Sequence, residues 1–306
     1  MNLGSQGNLT DLFRDAAATH ELTGFDFSQP TGNFVTVGGV QFHYVDWGGH
    51  GPPILFLHGG FQTCRTWDMV CAQIRDRYRC YAMDERDHGD SETHHSNDMS
   101  PKAQSEDIKG VVEAIGLKEF ILVGMSMGGL NGIAYASRFP KGLKAMVVVD
   151  VGPTVRKTGG QEIGEFSKPR PFPSFEAALE EAVRFNPLRP KAHLEYSLAH
   201  SLREEGDGTW VWKHRFPEDR VMPREVEEGD TVDRPEMWED VAQITCPTLV
   251  IRGGKSRVFF DEDAQKLVGA LSKGSLVTVH GAGHTVQGDK PKQFVHELDT
   301  FLNNVS

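Results

Sequence analysis

Short apolar runs of strand length recur along most of the chain, and glycine-rich or charged turns close them. Between them lie segments with helical spacing, such as the one that Ser100-Pro101 opens and that carries Ile108, Val111 and Ile115 on one face. Strand, helix and strand in regular succession predict right-handed crossovers and an α/β fold with a mostly parallel sheet. Alternating apolar residues on both sides of Gly38-Gly39 predict a β-hairpin at the start of this sheet.

The regular alternation of predicted strands and helices stops in the middle of the chain. The stretch 153–239 is richer in proline and charge, and it contains amphipathic helical pieces at 175–185 and 192–202. We predict an α/β core formed by residues 33–152 and 240–306, with residues 153–239 inserted as a helical cap, or lid. The charged residues of 203–230 are expected to form a solvated face of this cap. Residues 1–32 form a polar N-terminal extension whose role the sequence does not reveal.

Composition narrows the classes of partner. With 38% apolar and 25% charged residues the 306-residue chain is typical of a globular protein, and its apolar stretches are far shorter than the ~20 residues of a membrane span. A formal net charge of -11 disfavours nucleic acid, because a polyphosphate needs a basic face. The N-terminus lacks the pattern of a secretory signal. We expect a cytoplasmic monomer or homodimer acting on a small molecule, without nucleic-acid or membrane partners.

The four cysteines show no metal-type spacing and are expected to be reduced, buried thiols. His88, His94 and His95 cluster in sequence, but the stretch is polar and no acidic or thiol residue completes a ligand spacing. We interpret it as a solvated loop and predict no metal site.

The stretch 120–129, FILVGMSMGG, carries the strongest functional signal. An apolar strand ends in Gly124-Met125-Ser126-Met127-Gly128, and a helix-like segment follows. This is the context of a G-x-S-x-G nucleophile elbow, in which flanking glycines let strand and helix pass closely and the serine stands out from a strained turn. Ser126 is therefore the predicted nucleophile.

A serine nucleophile needs a base and an oxyanion hole. His284 follows the last predicted strand between Gly281 and Gly283, late in the chain as the order serine, acid, histidine demands, and is the predicted base. Two backbone N–H groups should stabilise the developing oxyanion. One is predicted from Met127 and the other from Gly60, with Phe61 as the alternative.

Three further residues are candidates for the substrate pocket. Trp210 and Trp212 share one face if their segment is extended, and either cap packing or substrate contact explains them. Met125 precedes the nucleophile and is the third candidate.

His58 is interpreted as a structural hydrogen-bonding group beneath the Gly59-Gly60 loop.

Several motifs occur together in one order: HGG at 58–60, D-x-R-x-H-G-D-S at 84–91, GMSMGG at 124–129, VVDVGP at 148–153, CPTLVIRGG at 246–254 and GAGH at 281–284. By these motifs the chain resembles the α/β-hydrolase superfamily, in its esterase-like branch with a helical cap. The resemblance spans residue 33 to the C-terminus. It implies an eight-stranded, mostly parallel sheet, a Ser-His-acid triad and no cofactor.

The chain departs from this family at two positions. Asp87 stands where relatives usually have glycine, which should perturb a turn. Where most relatives carry the triad acid as Ser-Asp, this chain has Ser256-Arg257.

Two replacements for that acid are open. Asp150 follows the strand after the elbow helix, where the haloalkane dehalogenase branch places its acid. Asp261 or Asp263 lies just past the usual site, although a helix start favours aspartate for local reasons. We favour Asp150.

These features predict a serine hydrolase that cleaves a carboxylic ester of a small or medium hydrophobic substrate through an acyl-enzyme. Hydrolysis of a C–C bond in a β-diketone or ring-cleavage product uses the same triad, as does hydrolysis of an amide or lactone. A non-catalytic ligand-binding protein on the same fold is a further alternative.

Overall fold

The computed structural model describes residues 6–215 and 230–305. Within these ranges eight strands form one sheet: β1 (Thr31–Val37), β2 (Val40–Asp46), β3 (Pro53–Leu57), β4 (Arg79–Met83), β5 (Phe120–Met125), β6 (Leu143–Val149), β11 (Thr248–Gly253) and β12 (Gly274–Val279). Their spatial order is β1-β2-β4-β3-β5-β6-β11-β12. Strand β2 is antiparallel to both neighbours, and the other neighbouring pairs are parallel. The predicted hairpin and mostly parallel sheet are confirmed.

Helices cover both faces of this sheet. They are α1 (Gln6–Thr19), α2 (Asp68–Ile74), α3 (Pro101–Ala114), α4 (Met127–Arg138), α8 (Pro235–Gln243), α9 (Asp261–Ala270), α10 (Val286–Asp289) and α11 (Pro291–Val305), with a 3₁₀ helix at Cys64–Trp67. Side chains alternate across each strand, so Ile54 and Phe56 of β3 join the cluster under α2 and α11, while Leu55 and Leu57 join the cluster under α3 and α4. The sheet therefore separates two apolar cores.

The N-terminal extension contributes a packed helix. In α1, Phe13, Ala16 and Ala17 are fully buried. The Phe13 ring lies 5.9 Å from that of Trp47 and 5.1 Å from that of Tyr196. Tyr196 belongs to α7 (Lys191–Ser201), in the stretch between β6 and β11 that leaves the main sheet and that we call the inserted region. Helix α1 therefore ties the sheet to a helix of the inserted region.

The inserted region has its own apolar cluster. The two predicted helical pieces are α6 (Phe175–Phe185) and α7. The structure adds elements that the sequence analysis did not predict: α5 (Lys157–Phe166), the pair β7 (Val155–Arg156) with β10 (Thr231–Val232), and the pair β8 (Leu202–Glu204) with β9 (Trp210–Trp212). Residues 203–208 and Arg215 are exposed, as predicted for the charged residues of 203–230, whereas Lys213 and Asp230 are half-buried. Residues 216–229 of that stretch lie outside the described residues.

The cysteines are unpaired, and the described helices are not of the membrane-spanning kind. Cys64, Cys71 and Cys80 are buried free thiols, and Cys246 is a partly buried one. Among the described helices, none combines the length and apolar character needed to cross a bilayer.

Candidate active site

Ser126 occupies a strained turn between β5 and α4. Its backbone has φ 51° and ψ -117°, a region that non-glycine residues rarely adopt. A Cβ on Gly124 would lie 2.3 Å from the carbonyl oxygen of Gly128, and a Cβ on Gly128 would lie 2.6 Å from that of His58. Both flanking residues must therefore be glycine for the strand and helix to approach this closely.

Replacing Gly128 with alanine should therefore destabilise the fold by at least about 2 kcal/mol, since the clashing atoms are backbone and cannot rotate away. Urea unfolding followed by circular dichroism measures this change. Gly269→Ala is the matched control: Gly269 lies in α9 with open space around its Cβ position, and alanine there should stabilise by about 0.5–1 kcal/mol. Equal stabilities of the two variants would contradict this account of the elbow.

His284 lies in the loop between β12 and α10, against Asp150 at the end of β6. The distance from His284 Nδ1 to Asp150 Oδ2 is 2.7 Å. The Asp150 side chain is fully buried, and that of His284 is 15% exposed. Asp150 Oδ1 accepts the Gly253 N–H at 2.7 Å, and Oδ2 also accepts the Ser256 hydroxyl. Three donors thus converge on the Asp150 carboxylate.

These donors oppose the effect of burial on Asp150. Burial raises the pKa of its carboxyl group, while the hydrogen bonds from His284, Ser256 and Gly253 favour the ionised form. With its proton on Nδ1, His284 donates to Asp150 and leaves Nε2 free to accept a proton from the cavity side.

The alternative acids lie elsewhere. Asp261 forms an ion pair with Arg252 at 2.9 Å. Asp263 pairs with Arg156 at 3.0 Å and caps α9 by accepting the Phe260 N–H. The structure thus brings Asp150, and not Asp261 or Asp263, to His284.

The Ser256-Arg257 pair divides into a buried and an exposed residue. Arg257 pairs with Glu162 near the surface, whereas Ser256 holds the Asp150 carboxylate. In the sequence, Ser256 is part of the departure from the family, and no local pattern indicates its contact with the acid.

Removing the Ser256 hydroxyl should raise the pKa of Asp150 further, because one donor to its ionised form is lost. We expect Ser256→Ala to lower kcat/KM about tenfold at neutral pH, the scale of one charge-assisted hydrogen bond. The acidic limb of the pH–rate profile should also move to higher pH. Arg257→Ala is the neighbouring control, and an unshifted profile in Ser256→Ala would contradict this role.

The two predicted oxyanion donors are adjacent. A Cβ on Gly60 would lie 3.9 Å from that of Met127. Within the described ranges neither backbone N–H donates to another protein group, and Met127 is the first residue of α4, where the helix dipole favours negative charge. The alternative donor, the Phe61 N–H, is already bonded to His88 Nε2 at 3.1 Å. Geometry therefore favours Gly60 over Phe61.

His58 is buried beneath this loop, as the sequence indicated. Its Nδ1 donates to the Gly59 carbonyl at 2.8 Å, and its Nε2 accepts the Glu85 N–H at 2.9 Å. Asp87, the other departure from the family, has φ 60°, which explains why glycine suits this position.

A second buried carboxylate supports the His284 loop. Asp289 accepts the Gly283 N–H at 2.9 Å and pairs with Arg189, just before α7, at 3.0 Å. Sequence reasoning missed this link between the histidine loop and the inserted region, because the two residues are distant in the chain.

Ser126, Met127, Gly60 and His284 line one cavity of about 1420 Å³ between the sheet and the inserted helices. Much of its lining is apolar: Met99, Leu130, Val151, Phe166, Phe185, Leu194, Leu198 and Trp212. No hydrogen bond joins Ser126 Oγ to His284 in the described part of the chain. Such catalytic contacts often tighten when substrate binds.

The predicted pocket residues differ in position. Met125 and Trp212 line the cavity. Trp210 does not: its ring packs on that of Phe175, 5.2 Å away, within the apolar cluster of the inserted region. Of the two explanations for Trp210, this packing agrees with cap packing, because β9 presents the ring to α6.

Comparison with known proteins places this arrangement in a family. A model described as the alpha/beta hydrolase fold matches residues 52–291. The chain is 30% identical over 293 residues to esterase Rv0045c of Mycobacterium tuberculosis, covering 93% of each chain. A crystal structure of that esterase superposes with a TM-score of 0.77 at 28% identity, over 98% of this chain and 99% of the other. The mouse sn-1-specific diacylglycerol lipase ABHD11 is 28% identical, covering 86% of this chain and 85% of its own. The chain belongs to the alpha/beta hydrolase fold family.

Proposed function

We propose that this protein hydrolyses a carboxylic ester through an acyl-enzyme formed on Ser126. The observation that carries the proposal is the 2.7 Å contact between His284 and the buried Asp150, at a cavity that Ser126 also lines. A histidine held by a carboxylate, at the same cavity as a serine on an elbow, is the arrangement that activates a serine hydroxyl.

The mechanism follows from these positions. His284 Nε2 takes the proton of Ser126 Oγ as the oxygen attacks the acyl carbon. The Gly60 and Met127 N–H groups stabilise the oxyanion, and Asp150 stabilises the imidazolium. His284 then protonates the leaving alcohol. Water activated by His284 attacks the acyl-enzyme and releases the acid.

The substrate is proposed to be a small or medium hydrophobic ester. The apolar lining of the cavity supports this class, because it removes acyl or alcohol carbons from water. Two similar proteins are named as an esterase and a diacylglycerol lipase, which also supports an ester.

The test combines a substrate series with labelling of the nucleophile. Initial rates on nitrophenyl acetate, butyrate and octanoate should show turnover, with a preference for the longer acyl chains that fill the apolar cavity. A fluorophosphonate should block this activity and be found by mass spectrometry on Ser126. Labelling without turnover of any ester would overturn the ester proposal while keeping a reactive serine, and would point to C–C or amide bonds. If the protein shows no labelling and no turnover, the result would favour a ligand-binding protein.

A further inference from the structure

A second cluster of reactive side chains lies apart from the active-site cavity. His43 of β2, Cys64 after β3 and Asp84 after β4 are all buried, and one ligand atom from each lies within 4.8 Å of the others. His43 Nδ1 is 2.7 Å from Asp84 Oδ2 and 4.0 Å from Cys64 Sγ. None of the three lines the cavity that holds Ser126.

A small cavity adjoins this cluster and brings in a fourth residue. Its volume is about 110 Å³, and its lining includes His43, Cys64, Asp84 and His200, the last from α7 of the inserted region. His200 is only 8% exposed, and its Nε2 has no hydrogen-bond partner among residues 6–215 and 230–305. A buried polar atom without a partner costs free energy and calls for a ligand.

The positive charges at this cavity are already neutralised. Lys213 pairs with Asp90 at 2.9 Å, and Arg65 pairs with Asp68 at 2.6 Å. Asp84 has no lysine or arginine partner among the ion pairs of the described residues. Its oxygens accept the N–H groups of Cys64 at 2.6 Å and Asp90 at 3.0 Å, and Oδ2 faces His43, but no lysine or arginine of the described ranges neutralises its charge.

We propose that His43, Cys64 and Asp84, whose ligand atoms lie within 4.8 Å of one another, bind a transition-metal ion of the zinc type. His200 lines the same cavity and becomes the fourth ligand once its side chain moves toward them. Imidazole nitrogen, thiolate sulfur and carboxylate oxygen are the donors that Zn²⁺ takes in four-coordinate sites. Bond lengths of about 2.0 Å to nitrogen and oxygen and 2.3 Å to sulfur place tetrahedral donors roughly 3.3–3.6 Å apart. The His43–Cys64 separation must shrink slightly and the His43–Asp84 separation must widen to reach this range.

Binding of the ion changes the protonation of Cys64 and the tautomer of His43. Cys64 releases its thiol proton to solvent and binds as thiolate. His43 keeps one proton, which moves from Nδ1 to Nε2 so that the Nδ1 lone pair faces the ion. The ion thus takes the place of the hydrogen bond between His43 and Asp84.

A filled site should also affect the proposed ester hydrolysis. Asp84 Oδ1 accepts the Cys64 N–H at 2.6 Å, and Cys64 follows closely the loop that carries Gly60. Drawing Cys64 and Asp84 onto an ion shifts the end of this loop, so inhibition is expected. This effect on activity rests on the proposed function, whereas ion binding does not.

Titration of the metal-free full-length protein with Zn²⁺ by calorimetry tests the site. We expect tight binding of one ion per chain with proton release, seen as a dependence of the heat on the buffer. Cys64→Ser should weaken binding roughly 100-fold and His200→Gln about tenfold. Cys246→Ser is the matched control and should bind like the wild type.

Equal zinc affinity in Cys64→Ser and wild type would overturn the proposal. A second measurement guards against misfolding of that variant. Co²⁺ added to the wild-type protein should give a sulfur-to-cobalt charge-transfer band, and bound Co²⁺ without this band would also overturn the proposal. Neither measurement requires ester hydrolysis, so the site is tested even if the proposed function fails.

Discussion

Replacing Ser126 with alanine is expected to lower kcat/KM for nitrophenyl esters by about 10⁴-fold or more, because the proposed acyl-enzyme forms on the Ser126 hydroxyl oxygen. Initial rates below KM measure the loss. The serine side chain makes no hydrogen bond within the described residues, so the variant should unfold at the wild-type temperature. A lower melting temperature of the variant would show that part of its rate loss comes from a folding defect and not from the lost nucleophile.

Ser137→Ala is the matched control for this experiment. Ser137 lies on α4, the same helix that follows the nucleophile, and its hydroxyl donates to Asp240 at 2.7 Å, away from the cavity. Its rate should stay within about twofold of wild type, as for surface changes of small energy. If Ser126→Ala kept the wild-type rate, the ester cleavage would belong to another group and the proposed mechanism would fail.

Local sequence patterns were sufficient to predict the sheet and most of its helices. Strands β3 and β5 are apolar runs buried on both faces, which is how central parallel strands are distinguished from edge strands. Helix α3 begins where Ser100 and Pro101 predicted it, since the Ser100 hydroxyl accepts the Ala103 N–H. These features depend on neighbours in sequence, so periodicity reveals them.

Features that depend on tertiary contacts could not be predicted in the same way. The sequence places Asp150, Asp261 and Asp263 at plausible points, but it does not show which loop bends toward His284. Asp150 does so from a backbone with φ 54°, an unusual value for aspartate that no local pattern announces. Likewise, the Phe61 N–H donates to His88, which lies on another loop that the local sequence around Phe61 does not reveal.

The cluster of His43, Cys64 and Asp84 illustrates the same limit. The sequence predicted the absence of a metal site, because motif spacing detects only ligands that are close in the chain. Here the sheet brings together residues from three separate segments, and a histidine from an inserted helix completes the lining. Only the strand order reveals that these segments are neighbours.

Asp150→Asn should lower kcat/KM by about 10⁴-fold with little loss of stability. Asparagine has the shape of aspartate, and its Oδ1 can still accept the Gly253 N–H. Its Nδ2 then faces His284 Nδ1, which must present a lone pair and carry its proton on Nε2. That tautomer cannot accept the Ser126 proton, so catalysis fails although the geometry survives.

Asp261→Asn and Asp263→Asn are the controls that rank the three candidate acids. Asp261 is exposed and pairs with Arg252, so its variant should keep the wild-type rate. Loss of the Asp263 charge weakens the contact with Arg156 and the start of α9, which should cost about 1 kcal/mol of stability and leave kcat/KM within about twofold. Rates and urea unfolding measured on all three variants separate these effects. A large rate loss in Asp261→Asn or Asp263→Asn, with Asp150→Asn active, would transfer the acid to α9 and require the His284 loop to move away from β6 during catalysis.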